Sequence, residues 1–316
     1  MNLKGKTVLI TGGASGIGKI MGSICLEKGV ANLVIWDVNP DNIRRTEIEL
    51  SGIPGSGANR TDANNADSPQ TLGSGNKDRI HSYQVNCADA DAVAEVYSKV
   101  TSEVGQVDVL INCAGVVRGN NTFDKQTVKD INLTMDINAT APMLVALQVL
   151  PDMIKRNNGC ICTIASAAGM LGVPKMSVYC ASKWAVIGWT ESMRIELKLA
   201  KSKVKVMSVA PYFINTGMFD GVQSKIFPIL KPDAVARKVI KAIEKGKSFK
   251  GIPFPYHFIR FWQGILPLAV FDFIFGKCFG VYSVMDHFTG RRNIQKEALN
   301  IKGKSLSLRR DIHKAS

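Results

Sequence analysis

The chain has 316 residues, of which 46% are hydrophobic, and its formal net charge is +14. This composition supplies enough apolar side chains for a large buried core and excludes a globally disordered chain. No run of roughly 18 uncharged apolar residues occurs, so we expect no transmembrane helix. The four histidines and seven cysteines show no zinc-ligand spacing, and we expect no metal site.

Short apolar runs alternate with helical patterns along most of the chain. Residues 6–11 predict a buried strand, residues 17–28 a helix ended by Gly29, and residues 32–37 a second strand. Further strands are predicted at 79–85, 107–112, 159–165 and 203–209. This alternation predicts an α/β fold with a doubly wound parallel sheet, the Rossmann fold, as one domain over residues 1–250.

Three segments depart from this alternation. Residues 51–78 are rich in Gly, Ser, Asn and Asp and predict a flexible surface insertion. Residues 251–290 are rich in Phe and Trp but interrupted by prolines, which predicts either a flap packed on the core or a substrate lid or membrane contact. Residues 291–316 hold eight basic and two acidic side chains, a tail that attracts anionic lipid or nucleic acid unless it is only solvated.

A glycine-rich turn with the sequence TGGASGIG follows the first strand at residues 11–18. Glycines at 12, 16 and 18 let the chain bend tightly and bring backbone N–H groups close to a pyrophosphate at the helix N-terminus. The turn therefore predicts a dinucleotide site.

Asp37 closes the second strand, nineteen residues after Gly18. A carboxylate at this position accepts hydrogen bonds from ribose hydroxyls and repels a 2′-phosphate. Neither Ser15 nor Val38 offers a cation for that phosphate, so we expect NAD rather than NADP. Asn86 is expected near the adenine, and the small residues of the Asn112–Gly115 segment near the ribose and nicotinamide.

Tyr179 and Lys183 lie one helical turn apart, thirteen residues after Ser166. A free phenol has a pKa of about 10, and a neighbouring ammonium favours the phenolate, which makes tyrosine a usable general base. A lone Tyr-x-x-x-Lys also arises as a half-buried ring beside a solvated lysine. Its combination with Ser166 and the glycine-rich turn favours a redox enzyme.

These motifs, together with Asn138, resemble the short-chain dehydrogenase/reductase family over roughly residues 4–245. The resemblance implies that Ser166 polarises the substrate oxygen, and that Tyr179 exchanges its proton. Lys183 would lower the tyrosine pKa and hold the nicotinamide ribose, and Asn138 would anchor a water in a proton relay. The predicted cofactor-binding residues are Gly12, Ser15, Gly16, Ile17, Gly18, Asp37, Asn86, Asn112, Ala114, Gly115, Tyr179, Lys183, Pro211, Ile214 and Thr216.

The sequence departs from the family pattern at Cys113, Asn86 and Tyr212, where asparagine, aspartate and glycine are usual. Segments 211–219, 228–232 and 283–291 resemble a subgroup of retinol dehydrogenases and 17-beta-hydroxysteroid dehydrogenases. That subgroup sits on the endoplasmic reticulum or lipid droplets, and the likeness implies a lipophilic substrate. We expect this chain to differ from the animal members of that subgroup, which usually begin with an apolar anchoring segment.

We therefore expect an oxidoreductase that transfers a hydride between NAD and a lipophilic alcohol, ketone or aldehyde, such as a retinoid, steroid or long-chain alcohol. A non-catalytic nucleotide-fold protein that binds lipid or nucleic acid, and an NADPH carbonyl reductase, remain alternatives. We expect no nucleic-acid partner. A cytoplasmic homodimer or homotetramer is expected, with peripheral attachment to the endoplasmic reticulum or lipid droplets left open.

Overall fold

The structure is a computed structural model that describes residues 1–52, 75–225 and 227–290. Most of the insertion predicted at 51–78, and the whole basic tail at 291–316, lie outside the described residues. At the edges of the insertion, Ser51 ends a helix and Asn76 is buried in a 3-10 turn that leads into the third strand.

Seven parallel strands form one sheet in the order β3-β2-β1-β4-β5-β6-β7. Helices cover both faces, so the predicted doubly wound fold is confirmed, and the six predicted strands lie within two residues of their observed bounds. The strands are β1 (Thr7–Thr11), β2 (Asn32–Asp37), β3 (Ile80–Gln84), β4 (Val109–Asn112), β5 (Cys160–Ile164), β6 (Lys205–Pro211) and β7 (Phe249–Ile252).

Nine α-helices occur in the described residues, and two π-helical turns, Asp136–Thr140 and Asp272–Cys278, continue from two of them. The helices are α1 (Gly16–Glu27), α2 (Pro40–Ser51), α3 (Ala90–Glu103), α4 (Val128–Met135), α5 (Ala141–Lys155), α6 (Ser177–Leu199), α7 (Pro232–Glu244), α8 (Ile259–Ile265) and α9 (Leu268–Phe271).

The core is divided by the sheet into two layers. Successive residues of a strand point to opposite faces, so Ile10 packs with α1 and α7 while Leu9 packs with α3, α5 and α6. Every residue of β1 is buried. Burying a large aliphatic side chain contributes about 1.5 to 3 kcal/mol, so a strand buried on both faces is strongly held in the centre of the sheet.

The seventh strand, β7, was not predicted from the sequence. Its four residues, Phe-Lys-Gly-Ile, show neither apolar alternation nor a continuous apolar run. The strand forms because Ser208–Pro211 of β6 offers a free edge with which it pairs in register. The sequence interpretation was therefore incomplete at this edge of the sheet.

The C-terminal segment, residues 251–290, packs on the domain through one face. Tyr256, Ile259 and Phe271 are buried in a cluster that includes Val186 of α6. The opposite face stays in solvent, and its exposed large apolar side chains are Phe254, Phe258, Phe261, Trp262, Ile265, Leu268, Val270, Phe273 and Tyr282.

One helical stretch of the described chain, Val128–Lys155, is long and apolar enough to cross a membrane by length and composition alone. Its residues Val145, Val149 and Met153 belong to the core layer beneath the sheet. A core helix meets the same criterion, so this stretch is accounted for by the packing of the fold.

Candidate active site

A cleft of about 480 Å³ lies at the carboxyl edge of the sheet, where the connections after β1 and β4 lead to opposite faces. It brings together all the predicted site residues except Asn112 and Asn138. Those lining it are Gly12, Ser15, Gly16, Ile17, Gly18, Asp37, Asn86, Ala114, Gly115, Ser166, Tyr179, Lys183, Pro211, Ile214 and Thr216.

The turn after β1 requires glycine at two positions. Gly12 has a φ of +64°, and a Cβ there would lie 2.8 Å from the Cα of Ala114. A Cβ on Gly18 would lie 2.2 Å from the carbonyl oxygen of Gly12. The Ser15 side chain makes no capping bond to α1 within the described chain. The first turn of α1 thus presents N–H groups that suit a pyrophosphate.

Asp37 is held at the other rim of this turn. One carboxylate oxygen accepts a hydrogen bond from the Ala14 N–H at 3.2 Å, and the other accepts one from the Asn39 N–H at 3.1 Å. Asn42 lines the same end of the cleft and accepts a hydrogen bond from Arg45 at 2.6 Å. A carboxylate therefore faces the adenosine end, with one guanidinium close behind it.

Two asparagines expected at the cofactor behave differently. Asn86 lines the cleft and accepts a hydrogen bond from the Ala88 N–H. The Asn112 side chain instead donates to the Pro142 carbonyl at 3.2 Å in α5, and its position in the interior keeps it out of the cleft. The Thr11 hydroxyl accepts hydrogen bonds from the N–H groups that follow Asn112 and holds this loop against β1.

Ser166, Tyr179 and Lys183 meet at the far end of the cleft. Ser166 follows β5, whereas Tyr179 and Lys183 lie on α6. Tyr179 and Lys183 are 6% and 5% exposed. The Lys183 ammonium donates to the Ile164 carbonyl at 3.1 Å and lies 5.8 Å from the centroid of the Tyr179 ring. The site thus holds a phenol, a hydroxyl and an ammonium in one water-poor space.

Asn138 lies in the π turn between α4 and α5, a kind of bulge common at functional sites. Its amide binds both backbone groups of Val116, at 2.8 and 2.9 Å, and donates to the Ser182 hydroxyl. A Cβ on Gly115 would lie 3.3 Å from the Asn138 oxygen and 3.7 Å from the Lys183 nitrogen. Asn138 therefore holds the loop after β4 next to Lys183.

Burial acts on both ionisable groups of this site. It raises the pKa of the Tyr179 phenol, and a hydrogen bond with Ser166 opposes that rise. It lowers the pKa of Lys183 to about 8. In the protein without cofactor the net effect is therefore a raised tyrosine pKa, and the lowering expected from Lys183 stays a prediction. Removal from water disfavours both charged forms, and the ammonium is bonded to a carbonyl instead of the phenol.

Several lining residues were not assigned to the cofactor site from the sequence. Asn39 and Asn42 lie at the start of α2, and Arg118 lies three residues beyond Gly115. Their position after predicted strands was the one sequence signal that could have placed them at the site, because loops that follow strands of a parallel sheet meet at one edge. Further unassigned lining residues include Val116, Ile137, Tyr212, Met218 and Phe219.

No group of three or more His, Cys, Asp or Glu side chains in residues 1–52, 75–225 and 227–290 is arranged to hold a metal ion. An anion-binding glycine turn at one end of a cleft and a Ser–Tyr–Lys set at the other are typical of a dinucleotide-dependent oxidoreductase.

Comparison with known proteins identifies the family. The sequence profile described as short chain dehydrogenase matches residues 55–226. Epidermal retinol dehydrogenase 2 of Mus musculus is 35% identical over 92% of this chain and 87% of its own length. Estradiol 17-beta-dehydrogenase 11 of Homo sapiens is 30% identical over 84% of this chain and 81% of its own. The chain belongs to the short chain dehydrogenase family and is an oxidoreductase.

The fold is also shared with solved structures. A short chain dehydrogenase/reductase from Burkholderia phymatum, in complex with NAD, has a TM-score of 0.69 and 21% identity over 84% of this chain and 95% of that one. Other structures of this fold were solved with NADP. The likeness shows that the fold is shared and does not distinguish the two cofactors.

The burial of Lys183 predicts a pH-dependent stability. Its pKa of about 8 lies below the ordinary 10.5, so the unfolded chain binds more protons between these values and stability rises with pH there. Lys183→Met has no ammonium at this position, so this rise of stability with pH disappears in the variant. We expect the stability of the variant relative to wild type to fall by roughly 3 kcal/mol between pH 7 and 10.5, measured by urea unfolding.

Lys198→Met, an exposed lysine on the same helix, is the matched control and should change the pH profile little. Parallel profiles for wild type and Lys183→Met would show that the buried ammonium carries no such cost.

Proposed function

We propose that this protein transfers a hydride between NAD and a lipophilic alcohol or its carbonyl product. The observation that carries the proposal is the meeting of Ser166, Tyr179 and Lys183 at the end of the cleft that begins at the glycine-rich turn. The family membership supports redox chemistry, and hydride acceptance and donation are what a bound nicotinamide supplies.

Four side chains perform the steps other than hydride transfer. Ser166 orients the substrate oxygen by a hydrogen bond, and Tyr179 takes or returns the hydroxyl proton. Lys183 supplies positive charge below its pKa of about 8 and a donor for a ribose hydroxyl. A cationic nicotinamide adds to this charge, which favours the phenolate that burial alone disfavours. Asn138 keeps the loop after β4 in place and is the proposed anchor of a relay water.

Asp37 supports NAD as the cofactor. Its two oxygens are fixed by backbone N–H groups at the adenosine end, where a 2′-phosphate would meet a buried like charge. Arg45 offers a cation nearby, and its guanidinium is engaged by Asn42 at the same end of the cleft.

A lipophilic substrate is supported by the lining beyond Ser166. Tyr212, Phe213 and Phe219 surround this end of the site, and apolar walls favour apolar ligands. The relatives named above, a retinol dehydrogenase and an estradiol dehydrogenase, support retinoid, steroid or long-chain alcohols.

We also propose that the protein attaches peripherally to an anionic lipid surface, such as that of the endoplasmic reticulum or a lipid droplet. Phe261, Leu268 and Phe273 of the C-terminal segment are 58%, 75% and 57% exposed, and a basic stretch follows at 291–316. Apolar side chains next to basic charge are the two signals that peripheral membrane binding combines.

Tyr179→Phe tests the proton transfer. We expect kcat to fall by about 10² to 10⁴-fold, while NAD binding, followed by isothermal titration, stays near that of wild type. Tyr83→Phe, which removes a hydroxyl bonded to Glu103 at a residue outside the cleft lining, is the control. Turnover of Tyr179→Phe within a few-fold of wild type would refute the assignment.

Asp37→Ala tests the cofactor preference. Removing the carboxylate removes the repulsion of a 2′-phosphate, so the ratio of kcat/KM for NAD to that for NADP should fall by about tenfold or more, roughly 1.4 kcal/mol. Asp41→Ala, an exposed carboxylate at the start of α2, should leave the ratio unchanged. A wild-type enzyme that prefers NADPH would instead favour the carbonyl reductase alternative.

Vesicle sedimentation tests the lipid contact. We expect binding to vesicles of phosphatidylcholine with phosphatidylserine, weakened by salt, and a clear loss of binding in the double variant Phe261→Ser, Leu268→Ser. Phe123→Ser, equally exposed on another surface at 65%, is the control. If the double variant and the Phe123→Ser control bind the vesicles equally well, the C-terminal segment is not the contact. A loss of dimerisation in the double variant alone would identify a second copy of the chain as the partner of this segment.

A further inference from the structure

Two cavities continue from the cleft beyond Ser166. The first has a volume of only about 30 Å³ and shares Ser166, Tyr212 and Phe219 with the cleft. This volume is far below the roughly 300 to 1,000 Å³ of an ordinary ligand site. We call this first cavity the neck.

The second cavity, which we call the outer cavity, has a volume of about 450 Å³. It shares Leu171, Val173 and Val281 with the neck. The start of α6, the loop at 171–174 and the C-terminal segment form its walls. Its size falls in the range of ligand sites, roughly 300 to 1,000 Å³.

The walls of the outer cavity are mainly apolar. Cys180, Phe271 and Phe275 contribute to its lining, and Asp272 supplies its one carboxylate among the described residues. Gly172 is exposed and lies on the same wall, so the cavity reaches the surface. Such a lining suits a hydrocarbon with few polar groups.

The neck is narrow because rings crowd around it. The Phe219 ring packs edge-on against Tyr179, with centroids 6.1 Å apart, and against Phe213 at 5.0 Å. Tyr212 lies 5.4 Å from the ring of Tyr256 and donates its hydroxyl proton to Ser224 at 2.9 Å. Packed aromatic rings of this kind resist displacement.

The segments that form the neck are also tied to one another. The Asp220 carbonyl, next to Phe219, accepts hydrogen bonds from the N–H groups of Thr289 and Gly290 at 2.9 and 3.0 Å. Lys175, in the loop beside the outer cavity, forms an ion pair with Asp286 at 2.7 Å. The C-terminal segment is therefore tied both to the loop that carries Phe219 and to the loop that carries Lys175.

We propose that the outer cavity binds the distal end of a slender lipid substrate whose chain passes through the neck and whose oxygen lies at Ser166 and Tyr179. This inference rests on the proposed function, which places the reacting oxygen. The neck, with a volume of about 30 Å³, has no room for a rigid fused-ring steroid, and a single alkyl or polyene chain is much narrower than such a ring system. The favoured class is therefore a long-chain or polyene primary alcohol, or its aldehyde.

The test uses the purified full-length protein with NAD and saturated primary alcohols from hexanol to dodecanol. For wild type, kcat/KM should rise by about fourfold for each methylene that enters the outer cavity, equivalent to about 0.8 kcal/mol. Estradiol, a rigid steroid alcohol, should be turned over at least tenfold less efficiently than dodecanol.

Filling the outer cavity should remove the length dependence. Gly172 and Gly188 both have room for a side chain, since a Cβ on either would meet no described atom within 4 Å. In Gly172→Trp the ratio of kcat/KM for dodecanol to that for hexanol should fall at least tenfold, while Gly188→Trp, on the outside of α6, keeps the wild-type ratio. Ser177→Trp fills the same cavity from α6 and should repeat the loss.

Widening the neck should act in the opposite direction. Val281→Ala removes two methyl groups from its wall, and we expect the efficiency with estradiol to rise relative to that with dodecanol. Equal efficiencies along the alcohol series, or an unchanged ratio in both tryptophan variants, would overturn the outer-cavity proposal while leaving the dehydrogenase itself intact. Absence of turnover with every alcohol would refute the proposed function instead.

Discussion

The reversal of strand order between β1 and β4 is the constraint on which the site depends. Both strands are parallel and adjacent, yet their following helices cover opposite faces of the sheet, so a crevice opens between them. Because all seven strands run the same way, the loops after β2, β5 and β6 reach the same crevice. Asp37, Ser166 and Pro211, distant in sequence, become neighbours of the glycine turn for this reason alone.

The chemistry is placed where buried polar groups cost free energy. Burying an ammonium and a phenol costs free energy unless each finds a partner, and the pKa of about 8 for Lys183 expresses that cost. The Ile164 carbonyl accepts from Lys183, and Asn138 satisfies the Val116 backbone through a π turn. These bonds lower the free-energy cost of burying the polar groups, while the phenol and the ammonium stay able to react. Active sites commonly combine stability and activity in this way.

The sequence predicted those features that repeat or that demand one residue type. Six strands followed from apolar runs, and the turn at Gly12 followed from a geometry that excludes side chains. It did not predict β7, whose pairing is supplied by β6, nor the burial of Asn112 against α5. Nor did it predict the burial that raises the pKa of Tyr179 in the protein without cofactor, because desolvation depends on packing by distant segments and no motif encodes it.

The C-terminal segment connects substrate access with location. Phe271 is buried against the outer cavity, while Phe273, two residues later, is exposed, so one short segment has a ligand-facing side and a solvent-facing side. A lipid alcohol partitions into membranes rather than water. If the exposed side rests on lipid, the mouth of the outer cavity lies close to the substrate's own phase. The exposed aromatic side chains proposed to contact lipid would then also shorten the path of the substrate to Tyr179. Such a role would account for an apolar surface whose exposure to water is otherwise costly.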